Sequence, residues 1–137
     1  MTRDDFIKVV NRIAMMRNIV MAYKEENSTS YLYEMFVDDD NKRTQIVNVF
    51  LSDDNATVFA ISKIGDAPND SSTLTALLEE NRDGFYSRLF IYDNSLYQGY
   101  RYKLEELENR EFIGAIDEVA HYADFIENKY YGGVDNC

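Results

Sequence analysis

Apolar residues near the start of the chain recur at three- and four-residue steps, the spacing of an amphipathic helix. This N-terminal stripe consists of Phe6, Val9, Val10, Ile13, Met16 and Val20. Thr2 is a suitable N-cap, and Asp5 stands three residues later in the capping-box position. The pattern therefore predicts a first helix that runs to about Tyr23.

Two further helices are predicted in the second half of the chain. The last one has an apolar stripe at Phe112, Ile116, Val119, Ala123, Ile126 and Tyr130. Asn109 is its expected N-cap, and the glycines at 132–133 are expected to end it. A shorter helix is expected to begin with Ser71 or Ser72 as its cap and to end at Gly84 in a left-handed conformation.

Five shorter segments are rich in β-branched and aromatic residues, which favours strands. They cover residues 31–37, 44–51, 56–64, 85–92 and 96–104. Polar turns separate them, and the Asp-Asn-Ser tripeptide at 93–95 is typical of a hairpin. The isolated glycines at 65, 84 and 99 are interpreted as breaks or bulges.

The order of these elements predicts a two-layer α+β domain over residues 1–131, with a flexible tail at 132–137. The expected order is α-β-β-β-α-β-β-α, with a five-stranded antiparallel sheet and helices on one face. The predicted core comprises Phe6, Val10, Ile13, Val47, Val49, Leu77, Leu89, Ile116, Val119 and Ala123.

This order and three local segments resemble the type III secretion chaperone-like (Tir chaperone) family and the YbjN-type domain. The segments are Ala-Leu-Leu-Glu-Glu-Asn at 76–81, the stretch from Phe85 to Leu96, and Ile-Asp-Glu-Val-Ala-His-Tyr-Ala-Asp at 116–124. The resemblance implies a small acidic dimer that binds a peptide or regulates another protein. It implies no catalytic site.

Charge narrows the classes of partner. The chain has 25 acidic residues against 14 lysines and arginines, a formal net charge of −11. Such a balance repels phosphate backbones and anionic membrane surfaces, so neither nucleic acid nor membrane is an expected partner. The longest apolar-rich stretch is too short to span a bilayer. A cytoplasmic protein is expected.

Few residues are candidates for catalysis or metal binding. The segment from Asp38 begins like a calcium loop, but arginine replaces its glycine and valine its final glutamate. His121 lies between Glu118 and Asp124 in sequence, yet helical spacing turns it away from the core and predicts exposure. Cys137 follows two glycines near the end of the chain. The sequence therefore predicts no enzyme, no metal site and no cofactor.

Surplus apolar residues predict a protein interface instead. Met15 and Ile19 are four residues apart, so a continuous first helix would place them together on a second apolar face beside Arg12. Tyr122 and Phe125 extend the expected interface on the last helix.

The leading hypothesis is a noncatalytic protein-interaction module that holds a protein or amphipathic peptide and forms a homodimer. The alternative is an acidic inhibitor or immunity-type protein that blocks a basic site on a toxin or nuclease. A tyrosine-rich sheet face could also dock a peptide, although strand propensity alone explains many of its tyrosines.

Overall fold

A computed structural model describes residues 1–24, 29–38, 40 and 42–132. Within these ranges the chain forms three α-helices and a six-stranded antiparallel sheet. The helices are α1 (Arg3–Ile13), α2 (Ser71–Glu80) and α3 (Asn109–Tyr131). The strands are β1 (Ile19–Lys24), β2 (Ser30–Phe36), β3 (Thr44–Leu51), β4 (Thr57–Asp66), β5 (Arg88–Tyr92) and β6 (Ser95–Lys103). The strands lie in the order β1-β2-β3-β4-β6-β5.

The first helix is shorter than predicted. Residues that were expected to form its second half form an additional strand, β1, instead. The helix ends at Ile13, and β1 pairs with the edge of β2. The backbone N–H of Phe36 donates to the Asn18 carbonyl at 2.8 Å. Val20, expected in the core, is 47% exposed. The predicted five strands and the α-β-β-β-α-β-β-α order are therefore wrong by one strand, because β1 pairs with the edge of β2, whose backbone groups a longer helix would leave unpaired.

The start of α1 is as predicted. The Thr2 hydroxyl accepts from the Asp5 N–H at 3.1 Å, and the Asp5 carboxylate accepts from the Thr2 N–H at 2.9 Å. Near the end of the helix, the buried Tyr33 hydroxyl of β2 donates to the Val10 carbonyl at 2.5 Å. Both ends of α1 are therefore fixed by specific hydrogen bonds.

The helices pack on one face of the sheet, which we call the inner face. Its main apolar cluster joins Phe6 and Val10 of α1, Val47 and Val49 of β3, and Val119 of α3. All ten predicted core residues are buried, with exposed fractions of 7% or less. The predicted core is confirmed, because alternation along strands and three- to four-residue steps along helices identify the same face.

A row of buried polar side chains crosses the inner face between two apolar clusters. The Ser62 hydroxyl of β4 lies 3.4 Å from the side-chain oxygen of Gln45 on β3. Gln98 of β6 donates to the Ser87 hydroxyl at 2.7 Å, and Gln45 donates to Glu127 of α3 at 3.2 Å. The bond between Gln45 and Glu127 links α3 to the sheet through a polar contact whose geometry is more specific than apolar packing.

Two predicted chain reversals are confirmed. Asp93 and Asn94 have φ values of 50° and 61° between β5 and β6, as a tight hairpin with two left-handed residues requires. Gly132 ends α3 with a φ of 66°. The predicted tail from residue 133 onward lies outside the described residues.

Other helix ends differ from the prediction. Gly84 has an extended conformation with a φ of −73°, and α2 already ends at Glu80 with Asn81 as its C-cap. Position 108, not Asn109, is the N-cap of α3. Asp70 caps α2 in place of either serine, because its carboxylate accepts from the N–H of Thr73 at 2.9 Å. A carboxylate at this end also interacts favourably with the helix dipole.

Asn81 also binds the outer edge of β5. Its side-chain oxygen accepts from the Leu89 N–H at 2.6 Å, and its amide nitrogen donates to the Leu89 carbonyl at 3.4 Å. One edge of the sheet thus carries a side chain that imitates a neighbouring strand.

Replacing Asp70 with asparagine is expected to make the free energy of unfolding depend less steeply on pH below about pH 4. Hydrogen bonds from the Thr73 hydroxyl, the Thr73 N–H and the Ser72 hydroxyl lower the pKa of Asp70 from 3.8 to about 2. The Asp70 carboxylate binds a proton more readily in the unfolded chain than in the folded one. Its contribution to the free energy of unfolding is therefore present above about pH 4 and is lost as the pH falls towards 2. Asparagine still caps the helix but does not titrate.

Urea unfolding at several pH values between about 2 and 5 measures this effect. The free energy of unfolding of Asp70→Asn should fall less steeply with acid than that of the wild type. Parallel curves for the two proteins would contradict the prediction.

Candidate functional site

The face of the sheet opposite the helices, which we call the outer face, carries large apolar side chains. Directly paired residues of adjacent antiparallel strands point to the same side. Phe59 of β4 pairs with Phe50 of β3, and Ile61 of β4 pairs with Gly99 of β6. Phe90 of β5 continues the series through its pairing with β6. No described helix packs on this face.

Two aromatic pairs stack across the outer face. The ring centroids of Phe50 and Phe59 are 4.9 Å apart, and those of Phe90 and Tyr97 are 5.3 Å apart, both with 13° between planes. Phe90 remains 40% exposed. These pairs stabilise the sheet and also form a broad aromatic surface in contact with solvent.

A depression lies between the two pairs where β6 has no side chain at Gly99. A Cβ atom there would lie 2.5 Å from the Phe90 ring and 3.2 Å from Ile61. The cavity measures about 280 Å³ and is bordered by Phe59, Ile61, Arg88, Phe90, Gly99 and Arg101. We call it the Gly99 notch. Gly99 was expected to mark a break or bulge, but it lies in a regular part of β6, where its missing side chain accommodates Phe90.

The outer face is basic although the chain is acidic. Its outward strand positions carry four cations, at Lys63, Arg88, Arg101 and Lys103. The acids at outward strand positions are Glu34 on β2 and Asp66 at the end of β4. In a chain of net charge −11 this face is therefore electrostatically distinct.

One arginine of the notch is positioned by a loop that α3 holds in place. The loop covers residues 84–87, and the N–H groups of residues 85–87 donate to the Glu118 carboxylate at 2.5–3.1 Å. The Ser87 hydroxyl adds a bond of 2.6 Å. Arg88 in turn donates to two carbonyl oxygens of this loop at 2.7 and 2.9 Å. Glu118 thus supports the notch from the inner layer.

A second apolar cleft lies beside the notch, between α2 and β5. It has a volume of about 250 Å³ and shares Phe90 with the notch. Leu78 of α2 and Ile91 of β5 line it and are 69% and 49% exposed. The apolar surface therefore continues from the outer face across the β5 edge.

The predicted interface residues near the N-terminus do not share a helix face. Arg12 is exposed on α1, Met15 lies beyond its end and is 88% exposed, and Ile19 belongs to β1. Ile19 is half-buried and packs against the main core. The helical stacking of Met15 on Ile19 was wrong, because α1 ends six residues before Ile19. Their role in an interface stays a prediction.

The two predicted interface residues of α3 do contact each other. The rings of Tyr122 and Phe125 are 6.4 Å apart in an edge-on arrangement, and Phe125 is 48% exposed. The Tyr122 hydroxyl donates to the Asp83 carbonyl at 2.7 Å. Together with Glu80 and His121 they border a cavity of about 310 Å³. In contrast to the arginines of the notch, the carboxylates at this second aromatic site have ion-pair partners: Glu80 pairs with Lys129 and Asp83 with Arg82.

Groups with catalytic potential do not converge. His121 is exposed, as predicted, and its Nδ1 lies 2.8 Å from the Asp117 carbonyl. Glu118 binds the 84–87 loop, and Asp124 accepts two hydrogen bonds from Arg43 at 2.8 and 3.2 Å. In the part of the chain that the structure describes, no three histidine, cysteine or acidic side chains are placed to hold a metal ion.

Asp38 sits in an ordinary polar turn. Its carboxylate accepts from the N–H groups of Lys42 and Arg43, and the Arg43 bond is the main cause that lowers its pKa. Positions 39 and 41 and Cys137 lie outside the described residues.

In the described ranges, no helix is both long enough and apolar enough to cross a bilayer.

No family model matches the chain, and a search of curated proteins finds no relative. The resemblance to type III secretion chaperones and YbjN-type domains therefore stays a prediction.

Proposed function

We propose that this chain is a noncatalytic protein-interaction module that binds a partner polypeptide on the outer face of β4, β6 and β5. The observation that carries the proposal is the pair of stacked aromatic pairs that flank the Gly99 notch, on a face that no described helix covers. Burying apolar area contributes roughly 25 cal/mol per Å², and aromatic residues are enriched in protein interfaces.

The engagement of the polar groups supports a noncatalytic role. Glu118 and Asp124 are hydrogen-bonded to structural partners, and His121 faces solvent. General acid–base catalysis needs groups that converge on one reacting atom. Within this proposal the chain is a cytoplasmic peptide-binding chaperone or regulatory protein, and a second copy of the chain is one form that the partner can take.

A photo-crosslinking comparison tests the location of the binding surface. Benzoylphenylalanine replaces Phe90 on the outer face or Phe125 on α3, which are both phenylalanines with similar exposure, 40% and 48%. The proteins are irradiated in cells, and the adducts are identified by mass spectrometry. We expect adducts to a polypeptide mainly from position 90. Adducts from position 125 alone would place the interface on the aromatic site of α3 and contradict the proposal.

The acidic-inhibitor alternative has one specific observation in its favour. The segment just before α3 carries three exposed acidic side chains close together in sequence, Glu105, Glu106 and Glu108. Binding through such a surface should weaken steeply when salt is raised, because exposed charges are screened within about 8 Å at physiological ionic strength. Charge reversal of these glutamates would then abolish binding, whereas replacement of Phe90 would leave it unchanged.

A further inference from the structure

The Gly99 notch has two arginines that no carboxylate of the described residues neutralises. The ion pairs in the described ranges involve Arg43, Arg82, His121 and Lys129. Arg88 donates to backbone carbonyls, which do not cancel its charge, and Arg101 is exposed. In a chain with 25 acidic residues, two such arginines beside an apolar cavity are a distinct feature.

The shape of the notch suits one large side chain. Gly99 borders it with the Phe90 ring packed over the glycine, and Phe59 and Ile61 complete the apolar walls. Its volume of about 280 Å³ lies just below the range of about 300–1,000 Å³ for small-molecule sites. An aromatic or large aliphatic group fills such a space and leaves the flanking arginines to bind whatever lies on either side.

We propose that the notch binds an acidic segment of a partner polypeptide, with an apolar side chain in the cavity and neighbouring carboxylates paired with Arg88 and Arg101. This proposal rests on the proposed function and adds the chemistry of the partner. Guanidinium and carboxylate form strong, directional hydrogen bonds. The outward strand positions of this face carry four cations against two carboxylates, so its charge also favours such a segment.

A polypeptide fits these features better than a nucleic acid does. Binding to a phosphate backbone depends on many cations that each neutralise a phosphate. The net charge of −11 opposes that kind of binding over the whole molecule. An apolar cavity between two arginines matches a single anchor side chain with local carboxylates.

Fluorescence anisotropy with designed peptides tests the chemistry directly. The probe is a labelled nonapeptide with a central phenylalanine between pairs of glutamates. One control peptide has glutamine for every glutamate, and the other has serine for the phenylalanine. At low salt, we expect either control to bind at least about tenfold more weakly, since both the charge and the anchor contribute.

Protein variants locate the binding. Arg101→Gln should weaken the acidic peptide at least about fivefold, because a charge-assisted hydrogen bond is lost. Arg3→Gln is the matched control, since Arg3 is also exposed but lies on α1, and it should bind like the wild type. Gly99→Ala should also reduce binding, because the added Cβ would lie 2.5 Å from the Phe90 ring and displace it from the wall of the cavity. Circular dichroism confirms folding, and Arg101→Gln keeps the test valid if Gly99→Ala does not fold.

Several results would overturn the acidic-segment proposal. These are equal binding of the glutamine peptide, an equal loss of binding in Arg3→Gln, or tighter binding of a labelled oligothymidylate that Arg101→Gln abolishes. If position 90 still forms polypeptide adducts in cells, only the partner chemistry fails. If position 90 forms none, the proposed function fails too.

Discussion

Replacing Ile116 with alanine is expected to lower the free energy of unfolding by about 2–4 kcal/mol. Ile116 is 1% exposed and lies in the main core, where α3 crosses the sheet. The substitution removes three carbons from a closely packed region and leaves a cavity, because neighbouring side chains collapse only in part. Urea unfolding at neutral pH measures the change.

Ile91→Ala is the matched control for this prediction. The same atoms are removed there, but Ile91 is 49% exposed at the β5 edge. Its effect should be clearly smaller, because much of this side chain contacts water in the folded state. A loss below about 0.5 kcal/mol for Ile116→Ala, the usual range for surface positions, would contradict its place in the core.

Replacing Glu118 with alanine is expected to cost about 2–3 kcal/mol and to release the 84–87 loop. The carboxylate accepts from three successive backbone N–H groups and from the Ser87 hydroxyl. Bonds to a charged acceptor contribute roughly 1.5–3 kcal/mol each, but water can replace those at the exposed end of the loop. The total is therefore smaller than the sum of the bonds.

Hydrogen exchange distinguishes this local release from general destabilisation. The amides of residues 85–87 should lose protection in Glu118→Ala well before the β3 and β4 core strands do. Asp117→Ala is the control, because its side chain is 57% exposed and contacts only His121 among the described ion pairs. Unchanged protection at residues 85–87 would contradict the proposed role of Glu118.

The sequence predicted the buried faces well and the first helix poorly, for the same physical reason. Apolar periodicity reports which residues avoid water, and this was sufficient for positions such as Ile116 and Val47. The same periodicity continues past Ile13 to Val20, so it could not show that the backbone changes to a strand there. The deciding interaction is the pairing of β1 with β2, and the apolar spacing within residues 14–24 does not report it.

The candidate site was less predictable, because it depends on register. The notch exists since Gly99 lies opposite Ile61 on one side and Arg88 on the other. An isolated glycine within a strand pattern was the only local signal, and it is also typical of bulges. Glu118 reaches a loop more than 30 residues away in sequence, and no local pattern indicates such a contact.

The bond between Asn81 and Leu89 bears on how this protein avoids aggregation. A strand alternates the direction of its backbone groups, so Leu89 and Ile91 present theirs to the free edge of β5. Asn81 occupies the first of these two positions. An incoming strand from a misfolded chain would have to displace the asparagine before it could extend the sheet in register. Because the neighbouring side chains Phe90 and Ile91 are exposed and apolar, this single amide is expected to act as a gatekeeper that opposes strand addition at the β5 edge.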